Sequence, residues 1–321
     1  MKKILLPILF LFIFSFSEAA KWRVNNSPGI DADFLGLQEA HDAAGEGDTI
    51  YVEGSLTVYD NNNAVNISKQ LVIIGPGYFL GENPFTQANK MTANFNRINF
   101  IAGAEGSIMM GLVIYRVDLN VLDITVRRNN VTNGLILNSE NFIVAQNTIY
   151  DIDGRNCKGL ISNNIIRYAR FDANSFVSVF NNVFYLLNNS ISSLDIYNSE
   201  IRNNIINSYT DNALFLTSRN NTITNNIFRQ NGTEANGNKF NLAFTAIFVE
   251  GGTTDGTYKL AENSPAKGAG LNGIDCGPFG GPLPYVLSGI PPGPSIYEVS
   301  APATASKTEG LPVNIKIHSH L

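Results

Sequence analysis

The sequence has few of the residues that usually build metal, redox or triad sites. Its 321 residues include two cysteines, three histidines and one tryptophan. Cys157 and Cys276 are far apart and do not have the spacing of a metal site, which leaves open two buried thiols or one disulfide. The histidines, at 41, 318 and 320, lie near the ends of the chain. A Ser-His-Asp triad is therefore excluded from its long middle part.

Charge is also scarce, and no basic run occurs. The first 19 residues carry Lys2 and Lys3, an apolar stretch over 4–16 and small residues up to Ala19, which predicts a signal peptide cut after Ala19. Removing two lysines and one glutamate takes the net charge from −5 to −6. Such a mildly acidic chain is a poor nucleic-acid binder, and no membrane span is expected after signal removal.

Asparagine, in contrast, is abundant, with 42 copies. Amide pairs recur ahead of apolar residues, and the second amide falls at Asn130, Asn147, Asn164, Asn182, Asn204 and Asn226, in steps of 17, 17, 18, 22 and 22. Two positions further on are Thr132, Ile149, Ile166, Phe184, Ile206 and Phe228. Strand-like runs lie between the pairs: GLIL (134–137), FIVA (142–145), FVSVF (176–180), LDIY (194–197) and LFLT (214–217).

A period near 20 with short strands and no helix between them is typical of a solenoid, in which each coil lies parallel on the preceding one. Asparagine suits the corners because it tolerates unusual φ values. Its amide can also hydrogen-bond to the equivalent amide one coil away. The paired asparagines are therefore assigned to architecture, and chemistry has to be sought elsewhere.

Both ends of the chain depart from the repeat. The segment 34–44 predicts a short helix that covers the first coil, with Asp33 as its N-cap. After the repeats, prolines at 291, 292 and 294 break the pattern, and YEVSA and VNIKI predict two strands. This tail either packs along the solenoid or is the remnant of a sandwich module, because about 30 residues are too few to fold alone.

The GDTIYV strand (47–52), the Asn-Asn-apolar-apolar coils and the segment ENSPAKGAGLNGIDCGPFGG (262–281) together resemble bacterial secreted right-handed parallel β-helix proteins of the pectin-lyase-like group. The resemblance covers roughly residues 22–281. It implies an all-β fold, a right-handed parallel β-helix solenoid, to which the sequence patterns described above add a short N-terminal capping helix and a C-terminal two-strand tail. SPAKGAG is expected to lie at or near the last coil and to close the core.

The domain organisation follows from the same patterns. Residues 1–19 are the signal peptide, 20–283 the parallel β-helix, and 284–321 a Pro-rich linker with the strand tail. The resemblance and the signal peptide imply a secreted or cell-surface location. This scaffold carries lyases, hydrolases, esterases and non-catalytic surface proteins, so the fold does not decide the activity.

The site signatures of two enzyme branches of this group are missing. The sequence has no Asn-Thr-Asp triplet, Asp-Asp pair, His-Gly or Arg-Ile-Lys of the polygalacturonase-like kind. The only tryptophan, Trp22, precedes the first coil, so the Trp-Ile-Asp-His segment of pectate-lyase-like enzymes is missing as well. Any uronate lyase built on this chain would need a non-standard site.

Such a lyase requires a base for the proton next to the carboxylate and a cation that stabilises the enolate, often with bound calcium. The segments 150–158 and 168–172 would bring charged groups together on adjacent coils. The lyase interpretation assigns catalysis to Arg170, Lys158 and Arg155, with Arg170 stabilising charge. Calcium would be held by Asp151, Asp153 and Asp172. The alternative is a surface ion-pair network at two corners.

A second candidate site is the column formed by the third residue after each aligned asparagine: Tyr150, Arg167, Tyr185, Asn207 and Arg229. If the residue before each of these points inward, strand alternation turns these five side chains outward to solvent, and they are called the outward column below. A strip of tyrosine and arginine along a solenoid suits an extended sugar chain, although ordinary solvent-facing residues would give the same pattern. Three functions follow: non-catalytic binding of an extracellular or cell-surface polysaccharide, a polysaccharide lyase, and a structural adhesin.

Overall fold

A computed structural model of the chain describes residues 19–185, 194–207, 219–306, 308 and 310–320. Two long parallel sheets and one antiparallel strand pair dominate this part, together with two short α-helices. The predicted all-β parallel solenoid, with its N-terminal helix and C-terminal strand pair, is confirmed. The predicted strand at 214–217 and residues 1–18 of the predicted signal peptide lie outside the described residues.

The first sheet contains ten strands within the described residues, and all neighbours in it are parallel. In spatial order they are β1 (Lys21–Val24), β2 (Thr49–Val52), β4 (Val72–Ile74), β6 (Ile108–Met110), β8 (Thr125–Arg127), β10 (Glu140–Ala145), β12 (Lys158–Ser162), β14 (Phe176–Phe180), β17 (Glu200–Arg202) and β19 (Thr222–Thr224). From β2 to β15, successive strands alternate between this sheet and the second one.

The second sheet is built in the same way. Its strands are β3 (Ala64–Ile67), β5 (Asn94–Phe100), β7 (Val113–Leu119), β9 (Asn130–Leu137), β11 (Thr148–Gly154), β13 (Ile165–Phe171), β15 (Val183–Phe184), β18 (Ile205–Ile206) and β20 (Ile227–Phe228), and β16 (Leu194–Asp195) also pairs with β13. Because each coil adds one strand to each sheet, equivalent residues of successive coils become cross-strand neighbours.

An apolar row runs through the interior at the start of the second sheet. Ile149, Ile166, Phe184, Ile206 and Phe228 are successive cross-strand partners, and each is at most 1% exposed. The predicted inner row is confirmed for these five residues. Thr132 does not belong to it, because Val131 is the partner of Ile149 and is buried in its place.

The inner asparagines form a continuous ladder beside this row: Asn129, Asn147, Asn164, Asn182, Asn204, Asn226 and Asn238. Each amide from Asn129 to Asn226 donates an Nδ2–H to the Oδ1 of the next, at 3.0–3.2 Å. The same Nδ2 groups bond backbone carbonyls of the corner, such as Ile161 and Phe180 for Asn182. The predicted ladder is confirmed, except that Asn129 replaces Asn130, which begins β9.

The N-terminal helix α1 (Leu37–Ala43) covers the first coil with Leu37 and Ala40 fully buried, as predicted. The predicted N-cap is wrong. The carboxylate of Asp60 accepts hydrogen bonds from the backbone N–H groups of Leu37 and Gln38, at 3.1 and 3.0 Å. Asp33 instead accepts a hydrogen bond from the backbone of Arg23. The cap therefore comes from a segment more than 20 residues away.

After the last coil the chain passes through α2 (Phe244–Ile247) and returns along the outside of the solenoid as residues 264–290, the returning segment. Its apolar side chains cover outward residues of the second sheet, including Ile165, Val183 and Ile205. SPAKGAG belongs to this segment, with Ala269 bonded to Asn225. It therefore lies beside the last coils, which confirms its predicted position. The last residue of the inner row, Phe228, is instead covered by the ring of Phe240, which stacks on it at 4.9 Å. The prediction that SPAKGAG closes the core is therefore wrong.

The C-terminal tail forms the antiparallel pair β21 (Gly293–Ser300) and β22 (Asn314–His320). Phe85, in the loop 75–92 that leaves β4, contacts the rings of Tyr297 and His318 at 5.2 and 5.0 Å. The backbone N–H of Ala88 donates to the carbonyl of Ile296 at 2.7 Å. The tail is thus docked on the solenoid through this loop.

The two cysteines are buried free thiols, which resolves the alternatives left open by the sequence. Cys157 lies within the main core, and its sulfur contacts the hydroxyl oxygen of Ser175 at 3.4 Å. Cys276 belongs to the returning segment, where its thiol donates to the carbonyl of Asn225 at 3.2 Å. They pack in two different clusters and act as small apolar residues.

Candidate functional site

The outward column lies on the second sheet, pointing away from the core. Tyr150, Arg167 and Tyr185 each follow a buried residue of the inner row, so strand alternation turns them outward. The backbone supports this register, because the N–H of Tyr185 donates to the carbonyl of Ile166 at 3.0 Å. Tyr150 is 37% exposed, whereas Arg167 and Tyr185 are half-buried.

Arg167 is the centre of an aromatic cluster. Its guanidinium carbon lies 4.6 Å from the ring centre of Tyr150 and 4.9 Å from that of Tyr168, distances at which a cation is attracted to an aromatic face. The two tyrosine rings meet edge-on at 5.6 Å. Within the described residues, Nε of Arg167 is buried without a hydrogen-bond partner. A buried, unused donor beside two aromatic rings calls for an explanation.

The rest of the predicted column is less open. Tyr185 packs against Tyr258 at 5.6 Å, and burial raises the pKa of its hydroxyl. Further along, Arg229 donates to the side-chain oxygen of Asn207 at 2.9 Å. These two residues continue the line in register with Tyr185, but as a mutually bonded polar pair.

The sequence pattern missed two aromatic members of this surface. Tyr115 precedes the column on β7 and is 53% exposed. The residue before it, Ile114, pairs with Val131, which in turn pairs with Ile149, so Tyr115 is in line with Tyr150. Its coil has no amide pair, because Gly111 and Leu112 occupy those positions. The apolar run LVIY (112–115) was the signal that could have revealed it. The second aromatic residue that the pattern missed is Tyr168, which comes one residue after Arg167.

The charged cluster predicted beside the column is partly assembled. Arg170 on β13 bonds Asp151 on β11 at 2.5 Å, and Asp153 is the cross-strand neighbour of Arg170. Desolvation raises the pKa of Asp151, and the charge of Arg170 offsets only part of this effect. Arg155, whose side chain is 70% exposed, pairs with Asp153 at 3.1 Å.

Of the other predicted residues, Lys158 does not join this cluster, and Asp172 interacts with it only through the charge of Arg155. Lys158 begins β12 of the first sheet and pairs with Glu140 at 2.9 Å. Asp172 accepts hydrogen bonds from the backbone of Asn156 and from the hydroxyl of Ser175, and so holds two corners together. Desolvation acts to raise the pKa of Asp172, but these hydrogen bonds outweigh it and lower the pKa.

The three aspartates predicted to bind calcium therefore face different partners. Asp151 is engaged by Arg170, Asp153 by Arg155, and Asp172 by the backbone of Asn156 and the hydroxyl of Ser175. Among the described residues, no three histidine, cysteine, aspartate or glutamate side chains are grouped so that they could hold a metal ion. The contacts are those of an ion-pair network at two corners, the alternative stated above for these segments.

Comparisons of the chain with protein-family models, curated proteins and solved structures gave no match. In the part of the chain that the structure describes, no helix is both long and apolar enough to cross a membrane. The parallel sheets establish a β-solenoid, and the function has to be inferred from its surface.

Proposed function

We propose that this protein is a secreted, non-catalytic β-helix that binds an extracellular or cell-surface polysaccharide along the outward column of the second sheet. The observation that carries the proposal is the partly exposed cluster of Tyr150, Arg167 and Tyr168, in line with Tyr115 and Tyr185. Aromatic faces and planar donors are the groups that hold sugar rings in protein sites.

The spacing of the column supports a polymer as the ligand. Neighbouring parallel strands lie about 4.8 Å apart, so equivalent positions on successive coils form a straight line along the solenoid. Tyr115 and Tyr150 are two strands apart, or about 10 Å, and Arg167 and Tyr185 continue the line on the next two coils. A sugar chain laid along this line would meet an aromatic or hydrogen-bonding side chain at nearly every coil.

The contacts of the charged cluster favour binding over cleavage. A lyase would need Arg170 free to stabilise an enolate, whereas Arg170 is bonded to Asp151. Tyr185, the column tyrosine nearest to Arg167 on the next coil, has a raised pKa because of its burial, so less of it is present as the phenolate that could remove a proton. The signal-like residues 1–19 support an extracellular ligand.

Affinity electrophoresis in gels that contain alginate, pectate, xylan or a glycosaminoglycan tests the proposal. We expect retardation of the mature protein by at least one polymer, and a threefold to tenfold weaker interaction for Tyr150→Ala and Arg167→Ala, in line with the roughly 0.5–1.5 kcal/mol of an aromatic contact. Phe176→Ala is the matched control, because Phe176 is 51% exposed but lies on the first sheet.

The same polymers discriminate the other two functions. Elimination would produce an unsaturated uronate that absorbs at about 235 nm. Its appearance with the wild type, and its loss with Arg170→Ala, would replace the binding proposal by the lyase. If wild type, Tyr150→Ala and Arg167→Ala showed equal retardation in every polymer gel, the binding proposal would be wrong and the structural adhesin would be the remaining function.

A further inference from the structure

A cleft of about 450 Å³ lies on the first sheet, between its first strands and the loop 75–92. This cleft is outside the outward column, which belongs to the second sheet and to later coils. Its volume falls within the range of about 300–1,000 Å³ that is usual for small-molecule sites.

The floor of the cleft is a row of three outward side chains. Arg23, Tyr51 and Ile74 are direct cross-strand partners on β1, β2 and β4. They therefore stand side by side, about 4.8 Å apart. Tyr51 is 40% exposed, and its hydroxyl makes no hydrogen bond with any described residue. An exposed ring with a free hydroxyl forms the middle of this floor.

The wall of the cleft is formed by residues 87–91 of the loop. Gln87, Asn89 and Met91 all line the cleft, and Oδ1 of Asn89 accepts a hydrogen bond from the backbone N–H of Met91 at 3.0 Å, which leaves its Nδ2 for a ligand. The stretch approaches the sheet closely, since a Cβ on Gly54 would lie 2.1 Å from the carbonyl oxygen of Met91. The N–H of Ala88, between the two amide side chains, donates to Ile296 of β21. The C-terminal strand pair thus braces the wall from behind.

The charges in the cleft compensate each other. Arg23 binds one oxygen of Glu53 at 2.7 Å, and the other oxygen accepts from Asn25 at 2.8 Å. Arg23 and Glu53 are the only charged side chains of the lining, and their opposite charges leave the cleft with no net charge that would select an ion. Their fixed donors and acceptors, with the amides of Gln87 and Asn89, suit a ligand rich in hydroxyl groups.

We propose that this cleft is a second carbohydrate subsite, which takes one neutral sugar ring, alone or at the end of a short neutral oligosaccharide. The ring stacks on Tyr51 and is hydrogen-bonded by Gln87, Asn89 and the Arg23–Glu53 pair. This site does not depend on the outward column, because it uses another sheet and can bind a ligand too short to follow several coils. The C-terminal strand pair then has a role: it positions the amide-bearing wall.

Titration calorimetry with four neutral trisaccharides tests the subsite, with cellotriose, xylotriose, mannotriose and galactotriose as the probes. We expect at least one to bind the mature protein. Its affinity should fall at least tenfold in Tyr51→Ala and severalfold in Gln87→Ala, while Tyr51→Phe should keep most of it because the ring remains. Phe176→Ala, which alters an exposed residue of the first sheet outside the cleft, should bind like wild type. Thermal unfolding confirms that each variant is folded.

Two results would overturn the subsite: none of the four trisaccharides binds, or Tyr51→Ala binds as well as wild type. The two sites can fail separately. Loss of trisaccharide binding in Tyr150→Ala instead of Tyr51→Ala would assign it to the outward column. Loss of polymer retention in Tyr150→Ala, with trisaccharide binding intact, would support both sites.

Discussion

Asn163 and Asn164 are adjacent in sequence and serve opposite sides of the same corner. Asn164 turns inward and donates from Nδ2 to Oδ1 of Asn182 at 3.0 Å. Asn163 has a φ of +55° and turns outward, where its Nδ2 donates to the carbonyls of Pro278 and Gly280 at 3.0 and 2.7 Å. One asparagine thus builds the solenoid, and the other attaches the returning segment to it.

The same division of labour extends along the whole stack. The outer positions bond successive parts of the returning segment: Arg128 to Ile290, Gln146 to Pro284, Asn181 to Asp275, Asn203 to Leu271 and Asn225 to Ala269. The left-handed φ of each outer residue explains why asparagine recurs there. The repeat of two amides therefore reflects two separate structural demands.

Removing one inner asparagine should strongly destabilise the solenoid. In Asn182→Ala, the backbone N–H of Asn164 and the carbonyls of Ile161 and Phe180 lose their partner inside the core. We expect the free energy of unfolding to fall by about 3 kcal/mol, since each buried unsatisfied group costs about 1–3 kcal/mol. Urea denaturation measures this loss.

The control for that experiment is Asn138→Ala. Asn138 also bonds an equivalent amide one coil away, Asn120, but at an exposed position. Its replacement should change the stability by less than about 0.5 kcal/mol. Equal losses at Asn182 and Asn138 would contradict a special role for the buried ladder.

Removing an outer asparagine should loosen the returning segment and spare the coils. Asn163→Gly keeps a residue that tolerates positive φ and deletes only the amide. We expect faster hydrogen exchange across 275–285, with the exchange of β11 and β13 unchanged. Asn156→Gly is the matched control, because Asn156 has a φ of +47° and an exposed side chain. Unchanged exchange in the Asn163 variant would mean that apolar packing alone holds the segment.

The helix α1 should depend on Asp60. Asp60→Asn retains a residue that tolerates the φ of +54° but leaves one acceptor oxygen for the N–H groups of Leu37 and Gln38. We expect a loss of about 1 kcal/mol, typical of a cap, and faster exchange of the helix amides. Asp123→Asn, at an exposed residue with a φ of +63°, should have neither effect. A similar loss in both variants would argue against the cap.

The buried thiols should make the protein less stable in alkali. Burial raises the pKa of Cys157 to about 11 and that of Cys276 to about 12, whereas the pKa of a cysteine in the unfolded chain is about 8.5. Below that pH both states keep their protons. Above it only the unfolded chain loses them, so stability should fall as pH rises, by up to about 1.4 kcal/mol per pH unit for each thiol.

Denaturation of wild type and of the Cys157→Ala/Cys276→Ala variant between pH 8 and 10.5 or so tests the slope. The variant should lose stability less steeply, whatever its stability at pH 8, because it lacks the two groups that release protons on unfolding. Parallel curves for the two proteins would show that the thiols do not contribute and that buried tyrosines such as Tyr59, with its pKa raised to about 12, account for the slope.

The sequence by itself determined the repeat, the inner asparagines and the apolar row, because these features depend on strand alternation and on the local φ preference of asparagine. In one coil, however, the structure is shifted by one residue from the sequence pattern. Asn129 and Asn130 look like the recurring pair, but the pair is Arg128 and Asn129, since Arg128 adopts the outer left-handed position with a φ of +56°. Residue type alone could not reveal this shift of one position.

Tertiary structure decided which distant segments meet. It provided Asp60 as the helix cap and the returning segment as the partner of the outer asparagines. It also formed the cleft, which is lined by Tyr51 of the sheet and Gln87 of the loop that the C-terminal strands brace. None of these contacts follows from periodicity, because periodicity fixes neighbours within the stack of coils and leaves the path of each inserted or terminal segment undetermined.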